Sequence, residues 1–156
     1  MSEIIITYEN LYEILRREKY RSELQKVDST FYRDVVKYLK EKTAILESQA
    51  KKDSIFASTE VEKTQTQLRN VQKILKELYE KRENKILQFA LFTSRSQNPQ
   101  DTSNMLPEER AFYEKIKSVL DEHRDGILLN LLKNQSPVVV GIEQKDLKTE
   151  EKTDTI

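Results

Sequence analysis

The chain has no cysteine and no tryptophan, one histidine, two glycines and three prolines in 156 residues. Each scarcity removes a class of explanation. Without cysteine there is no disulfide framework and no thiolate metal site, and the chain suits a reducing compartment. The two glycines, Gly126 and Gly141, cannot build a phosphate-cradling loop or a dinucleotide fingerprint. So few turn formers also argue against a sandwich or barrel, whose many reversals use Gly, Pro and Asn. No apolar run approaches the ~20 residues that span a bilayer. The opening MSEIIITYEN carries acids and lacks a basic n-region, unlike a signal peptide. Neither sign of charge is in excess. Lys plus Arg and Asp plus Glu both number 27, which argues against a general nucleic-acid binder but leaves room for a local basic patch.

What is present is charge on a helical period. Charged residues make up 35% and apolar residues 37%, a composition that predicts an all-α fold with a thin core. The longest clean pattern is LRNVQKILKELYEKRENKILQFALFTS, residues 68–94. Leu68, Val71, Leu75, Leu78, Arg82, Ile86, Phe89 and Thr93 recur at steps of three and four, one stripe of a helix. Tyr79, Ala90 and Phe92 widen the stripe, and most of the Lys and Glu residues fall opposite it. Phe89, Leu91 and Phe92 crowd the C-terminal end so broadly that one neighbouring helix cannot cover them. This predicts a second cover there, supplied by another chain, with a purely intramolecular core as the alternative.

The other segments arrange themselves around that helix. Thr7 predicts an N-cap, with Tyr8, Leu11, Tyr12 and Leu15 on one face of a first helix. Arg16, Arg17, Lys19, Arg21 and Lys26 then form a basic run interrupted by Glu18 and Glu23. A solvated helix end favoured by the dipole explains such a run, and a contact with DNA phosphates or an acidic partner is the functional alternative. Asp28 or Ser29 predicts the cap of a second helix reaching about Lys52, with Phe31, Val35, Tyr38, Leu39, Lys42, Ile45 and Leu46 on its apolar side. Thr59 and Glu62 have the spacing of a capping box, so the third helix is expected from about Glu60 to Ser94. Its length suggests coiled-coil-like pairing or an overhanging end. Residues 95–105 read as a polar, mobile loop. Pro107, Glu108 and Glu109 suit the start of a fourth helix, whose stripe runs Phe112, Ile116, Val119, Leu120, His123, Ile127 and Leu131. Gly126 marks a kink in it or the close approach of another backbone. Residues 136–142 read as a short extended segment, and the charged remainder as a disordered tail.

No constellation carries catalytic chemistry. His123 lacks partners for a triad or a zinc site, and Leu120 stands where a di-iron bundle would need Glu. The tripeptide His123-Arg124-Asp125 matches part of a kinase catalytic loop, but no other kinase motif accompanies it. A helix-packed histidine is the simpler reading. The carboxylates are scattered among lysines on helix faces, with no pair set up for acid–base work. Arg82 is the anomaly, a guanidinium at a core position. It must meet carboxylates or carbonyls, either within the chain or across an interface where it sets the register between subunits.

Three stretches taken together resemble a known family: YENLYEILRREKYRSELQKVDSTFYRDVVKYL, KILKELYEKRENKILQFAL and MLPEERAFYEKIKSVL. Over roughly residues 5–135 their order resembles the helical A domain of an archaeal GINS replication subunit of the A-then-B type. The resemblance implies a non-enzymatic, nucleoid-associated cytoplasmic scaffold without cofactor, metal or small-molecule substrate. It implies a tetramer of two copies with two of a sister GINS subunit, bridging the MCM helicase and a RecJ-like partner. Members carry a small β-rich B domain after the helices, whereas here about twenty residues come after Ser136, and PVVVGIE is at most one strand of it.

The expectation is therefore an elongated all-α bundle of four main helices spanning 1–135, with 136–156 an extended segment and tail. Leu78, Arg82, Ile86, Phe89, Phe92, Phe112, Tyr113 and Ile116 are expected at subunit or core contacts. Arg16, Arg17 and Arg21 are the candidate DNA or partner patch. A helical nucleic-acid-binding protein using the basic run, or a coiled-coil adaptor, are the alternatives.

Overall fold

The computed structural model describes residues 5–142. The charged tail expected to be disordered, and the first half of the EIII stretch, lie outside the described residues. Four helices dominate: α1 (Tyr8–Tyr20), α2 (Phe31–Ala50), α3 (Ile55–Ser96) and α4 (Pro107–His123). A π-helical turn (Arg124–Leu129) and one last turn, α5 (Asn130–Leu132), continue α4. Among the described residues there is no strand, so the all-α expectation holds.

Local chemistry explains most boundaries. Thr7 caps α1 in a reciprocal box: its hydroxyl accepts the Asn10 N–H at 3.2 Å, and Asn10 Oδ1 accepts the Thr7 N–H at 2.8 Å. Pro107 opens α4, where its missing N–H leaves no bond unmade. Two boundaries differ from the expectation. The Thr59–Glu62 box does not start α3. Ser54 caps it earlier, its Oγ accepting the Ala57 N–H at 3.1 Å, and Thr59 sits inside the helix with its hydroxyl turned to Ile55 O. Both Ser54 and Thr59 offer an N-cap oxygen, and pairing with α2 favours the longer helix. The second helix is entered at Thr30, not capped by Asp28 or Ser29. Asp28 instead closes the preceding turn, accepting from the Thr30 N–H at 3.0 Å.

At 42 residues, α3 is about 63 Å long at ~1.5 Å per residue, and the other helices pack along it. The α2–α3 pair is an antiparallel hairpin, tied far from the core by the Thr64 hydroxyl on Gln49 Oε1 at 2.9 Å. The α1 helix advances in the same direction as α3, since Lys19 meets Glu77 and the carbonyls of Arg21 and Glu23, just past its end, meet Lys85. So does α4: Arg82 meets Glu109, Phe89 meets Tyr113, and Ser94 meets Asp121. The loop after α3 must therefore travel back along it, and it ends on the buried Met105 and Leu106. The loop 95–105, expected to be polar and mobile, is anchored at its end by Met105 with Leu106 beside it.

The buried side chains form two clusters. Ile6, Leu11, Leu15, Phe31, Val35, Tyr38, Val71, Ile74, Leu78 and Leu106 make the larger, between α1, α2 and the middle of α3. Ile86, Ala90, Met105 and Tyr113 make the smaller, between α3 and α4. The expected single stripe of α4 does not persist. Val119 is already exposed before the π-turn; the π-turn then adds a residue to the helical repeat and rotates the turns beyond it, where Ile127 and Leu131 are exposed. His123 is exposed too, with Nδ1 2.9 Å from Val119 O, and is not packed in the core as expected.

Candidate functional site

Between the two apolar clusters lies a knot of charge. Arg82 is only 4% exposed, and its fork is fully engaged within the chain. Nε and NH2 donate to the two Glu109 carboxylate oxygens, both at 2.7 Å, a bidentate pair. NH1 donates to Glu18 Oε1 at 2.5 Å and to Gln25 O at 2.7 Å, and NH2 reaches Asn104 O at 3.2 Å. One helical turn later, Lys85 Nζ donates to the other Glu18 oxygen. It also donates to the carbonyls of Glu18, Arg21 and Glu23 at 2.6, 2.8 and 3.1 Å. Two cations from α3 thus meet one acid from α1 and one from α4, and the knot is electrically neutral.

Burial alone would lower the Arg82 pKa, but hydrogen bonds and charge from Glu109, then Glu18, outweigh it and hold it above the ordinary value. The guanidinium stays charged throughout the accessible pH range. It offers no proton for acid–base chemistry, and both carboxylates have a buried partner. The arrangement does something mechanical instead. It ties the α1 C-terminus, the 21–30 connection and the 97–106 loop to one stretch of α3. Asn104 Nδ2 donating to Leu24 O at 3.1 Å joins the two loops directly. Among the described residues no group of three or more His, Cys, Asp or Glu side chains could hold a metal.

The sequence-predicted residues separate by depth. Leu78, Arg82, Ile86 and Tyr113 are buried within the chain. Phe89, Phe112 and Ile116 are half-buried on the smaller cluster, with Phe89 and Tyr113 in an edge-on ring contact at 5.5 Å. Phe92 is 57% exposed. Farther on, Val119, Leu131 and Leu132 also face outward, so this end carries exposed apolar side chains, as does the tip of the α2–α3 hairpin at Ile55 and Phe56. Of the two roles open to Arg82, the geometry is that of an intrachain pair.

The basic run is partly neutralised. Arg16 holds Glu13 through two bonds, at 3.0 and 2.8 Å, and Lys19 meets Glu77 at 2.8 Å. Arg17 and Arg21 are exposed. The structure does not gather Arg16, Arg17 and Arg21 into one cleft.

Sequence reasoning misses Glu18, Glu109 and Lys85 as members of the knot. Glu18 reads as an interruption in a basic run, yet it stands three residues after Leu15 and seven after Leu11, on the stripe that α1 buries. An acid on one buried stripe and an arginine on another is the available signal. Glu109 does serve the helix start as expected, accepting the Leu106 N–H at 2.9 Å, but the same carboxylate also holds Arg82.

Comparison with known proteins gives one finding. Residues 5–128 match the family described as Sld5, GINS complex protein helical bundle domain. No curated protein and no solved structure matches. The matched stretch contains α1 to α4, both loops and every residue of the charge knot, and on that basis the chain belongs to the GINS helical-bundle family of DNA-replication subunits.

Proposed function

We propose that this chain is a non-enzymatic scaffold subunit of a GINS complex, joining a sister GINS subunit as two copies of each. In this reading the assembly bridges an MCM helicase and a RecJ-like partner at the replication fork. The helical domain, residues 1–135, carries the subunit contacts, and residues 136–156 lie beyond it. The family match over residues 5–128 carries the proposal.

Apolar side chains left exposed beyond the smaller cluster support it. An aromatic at 57% exposure, followed by the outward-facing Val119, Leu131 and Leu132, is the kind of surface that partners cover. Phe92 is the interface anchor in this reading, with Phe89, Phe112 and Ile116 beside it at half burial. Leu78, Arg82, Ile86 and Tyr113 act from within, holding α3 and α4 in the geometry that presents the anchor.

Light scattering on a sizing column tests this directly, for the chain alone and after co-expression with a candidate sister subunit. The expected result is a complex with the mass of two copies of each. Phe92→Asp should abolish that mass while leaving the helical signal of the chain unchanged. A well-folded monomer indifferent to the sister chain would overturn the proposal.

A further inference from the structure

The geometry points to a latch at the end of α4: the π-turn at Gly126 is a notch that grips the chain's own irregular segment 135–139, which turns at 140–141 instead of staying extended to 142 as expected, and fixes where that segment leaves the bundle. A freed carbonyl is its basis. In an α-helix the Gly126 carbonyl would accept from the Asn130 backbone N–H, four residues on. Here that N–H turns to Ile127 O instead. Gly126 O accepts from two other donors, the Asn130 side-chain Nδ2 and the Val138 backbone N–H, each at 2.9 Å. Asn130 works at both ends of the return, since its own carbonyl accepts the Gln135 N–H at 2.8 Å. Asn134, at φ 59, supplies the left-handed residue that reverses the chain.

The notch requires the absence of a side chain. A Cβ on Gly126 would drive into the Val138 carbonyl oxygen, with Val138 C at 3.3 Å and a Val139 methyl at 3.6 Å behind it. The obstacle is backbone, so making room would take a shift of the segment itself and not of one flexible side chain. A glycine in the last turns of a helix costs stability, and this one is placed where a backbone crosses it. A π-turn, a glycine and an asparagine therefore converge on one carbonyl.

Pinning one amide leaves the rest of the segment presented outward. Val138 and Val140 are 73% and 83% exposed, so the latch holds a β-branched stretch at the surface in a set direction. The device has two states, pinned and released, and whatever disturbs the π-turn changes which is populated. This inference does not depend on the assembly proposed above.

The test is amide exchange by NMR on the full chain. Gly126→Ala should speed exchange at Val138 at least about tenfold and shift the resonances of residues 134–142, while the α3 core amides keep their protection. Val138→Pro removes the donor without altering the helix and should release the segment in the same way. It also carries the test if Gly126→Ala fails to fold. Without a latch, alanine in a helical turn would only stabilise the helix. Unchanged Val138 exchange in Gly126→Ala, or undisturbed neighbours of residue 138 in Val138→Pro, would overturn the inference.

Discussion

The two halves of α3 belong to one continuous helix and are held in different ways. From Ile55 to Asn70 only Ala57 and Thr64 are buried. From Val71 to Ser94 a buried side chain arrives at every turn: Val71, Ile74, Leu78, Arg82, Ile86, Ala90, Thr93 and Ser94. The first half is tied to α2 by Thr64 and Gln49, and its tip carries Ile55 and Phe56 at 86% and 84% exposure. The second half is enclosed by α1, α2 and α4. The helix is long because an open two-helix arm continues directly from a packed core. One continuous helix can therefore contain segments of very different stability.

The largest expected effect comes from the centre of the packed half. Arg82→Met leaves the buried Glu18 and Glu109 without their shared cation. It should cost about 3–5 kcal/mol in urea unfolding, as breaking one side of a buried ion pair does. A cost near zero would mean that the knot opens to water. Next, Leu78→Ala should cost about 2–5 kcal/mol, whereas Ile55→Ala in the arm should stay within about 0.5 kcal/mol. Equal costs would erase the contrast between the halves. Thr64→Ala removes the side-chain tie to Gln49 and should cost about 1 kcal/mol. Hydrogen exchange should then quicken in the arm before it quickens around Ile86.

Two smaller effects sharpen the picture at the edges of the packed half. Reversing Arg16 and Arg17 to Glu should weaken any DNA binding, with the loss greatest at low salt. Unchanged binding in a mobility-shift titration would identify the run as a solvated helix end. The smallest effect is a pH slope. The Ser94 hydroxyl and then Lys117 hold the Asp121 carboxyl below its ordinary value of 3.8. A depressed folded pKa contributes stability above the unfolded value, and that contribution is lost as pH falls through the folded value. Thermal melts between pH 5 and 2, on the order of the window where such a group titrates, should therefore fall less steeply for Asp121→Asn than for the unaltered chain.

Much of this architecture can be read from residue order. The cap at Thr7, the opening of α4 at Pro107 and the stripe through Leu78 and Ile86 are local rules, and the structure obeys them. The reading of Gly126 as a place where another backbone comes close also holds. The errors fall where two local signals compete or where a partner lies far off. Ser54 and Thr59 both offer a cap oxygen, and only the pairing of α2 with α3 selects between them. His123 lies on the expected stripe, but Val119 before it is already exposed, and the π-turn beyond it rotates only the extension.

The sequence by itself determined the all-helical class, the elements and the family pattern, because helix period, capping and turn chemistry act over a few residues. It also determined that Arg82 needed buried partners, since an unpaired guanidinium in a core is too costly. Only the tertiary structure decided who those partners are. Glu18 is 64 residues from Arg82 along the chain and Glu109 is 27, and no local rule reaches across such distances. The parallel course of α1 and α4 along α3 brings them together. That course is set by which apolar faces fit one another once the helices exist, a property of the packed whole.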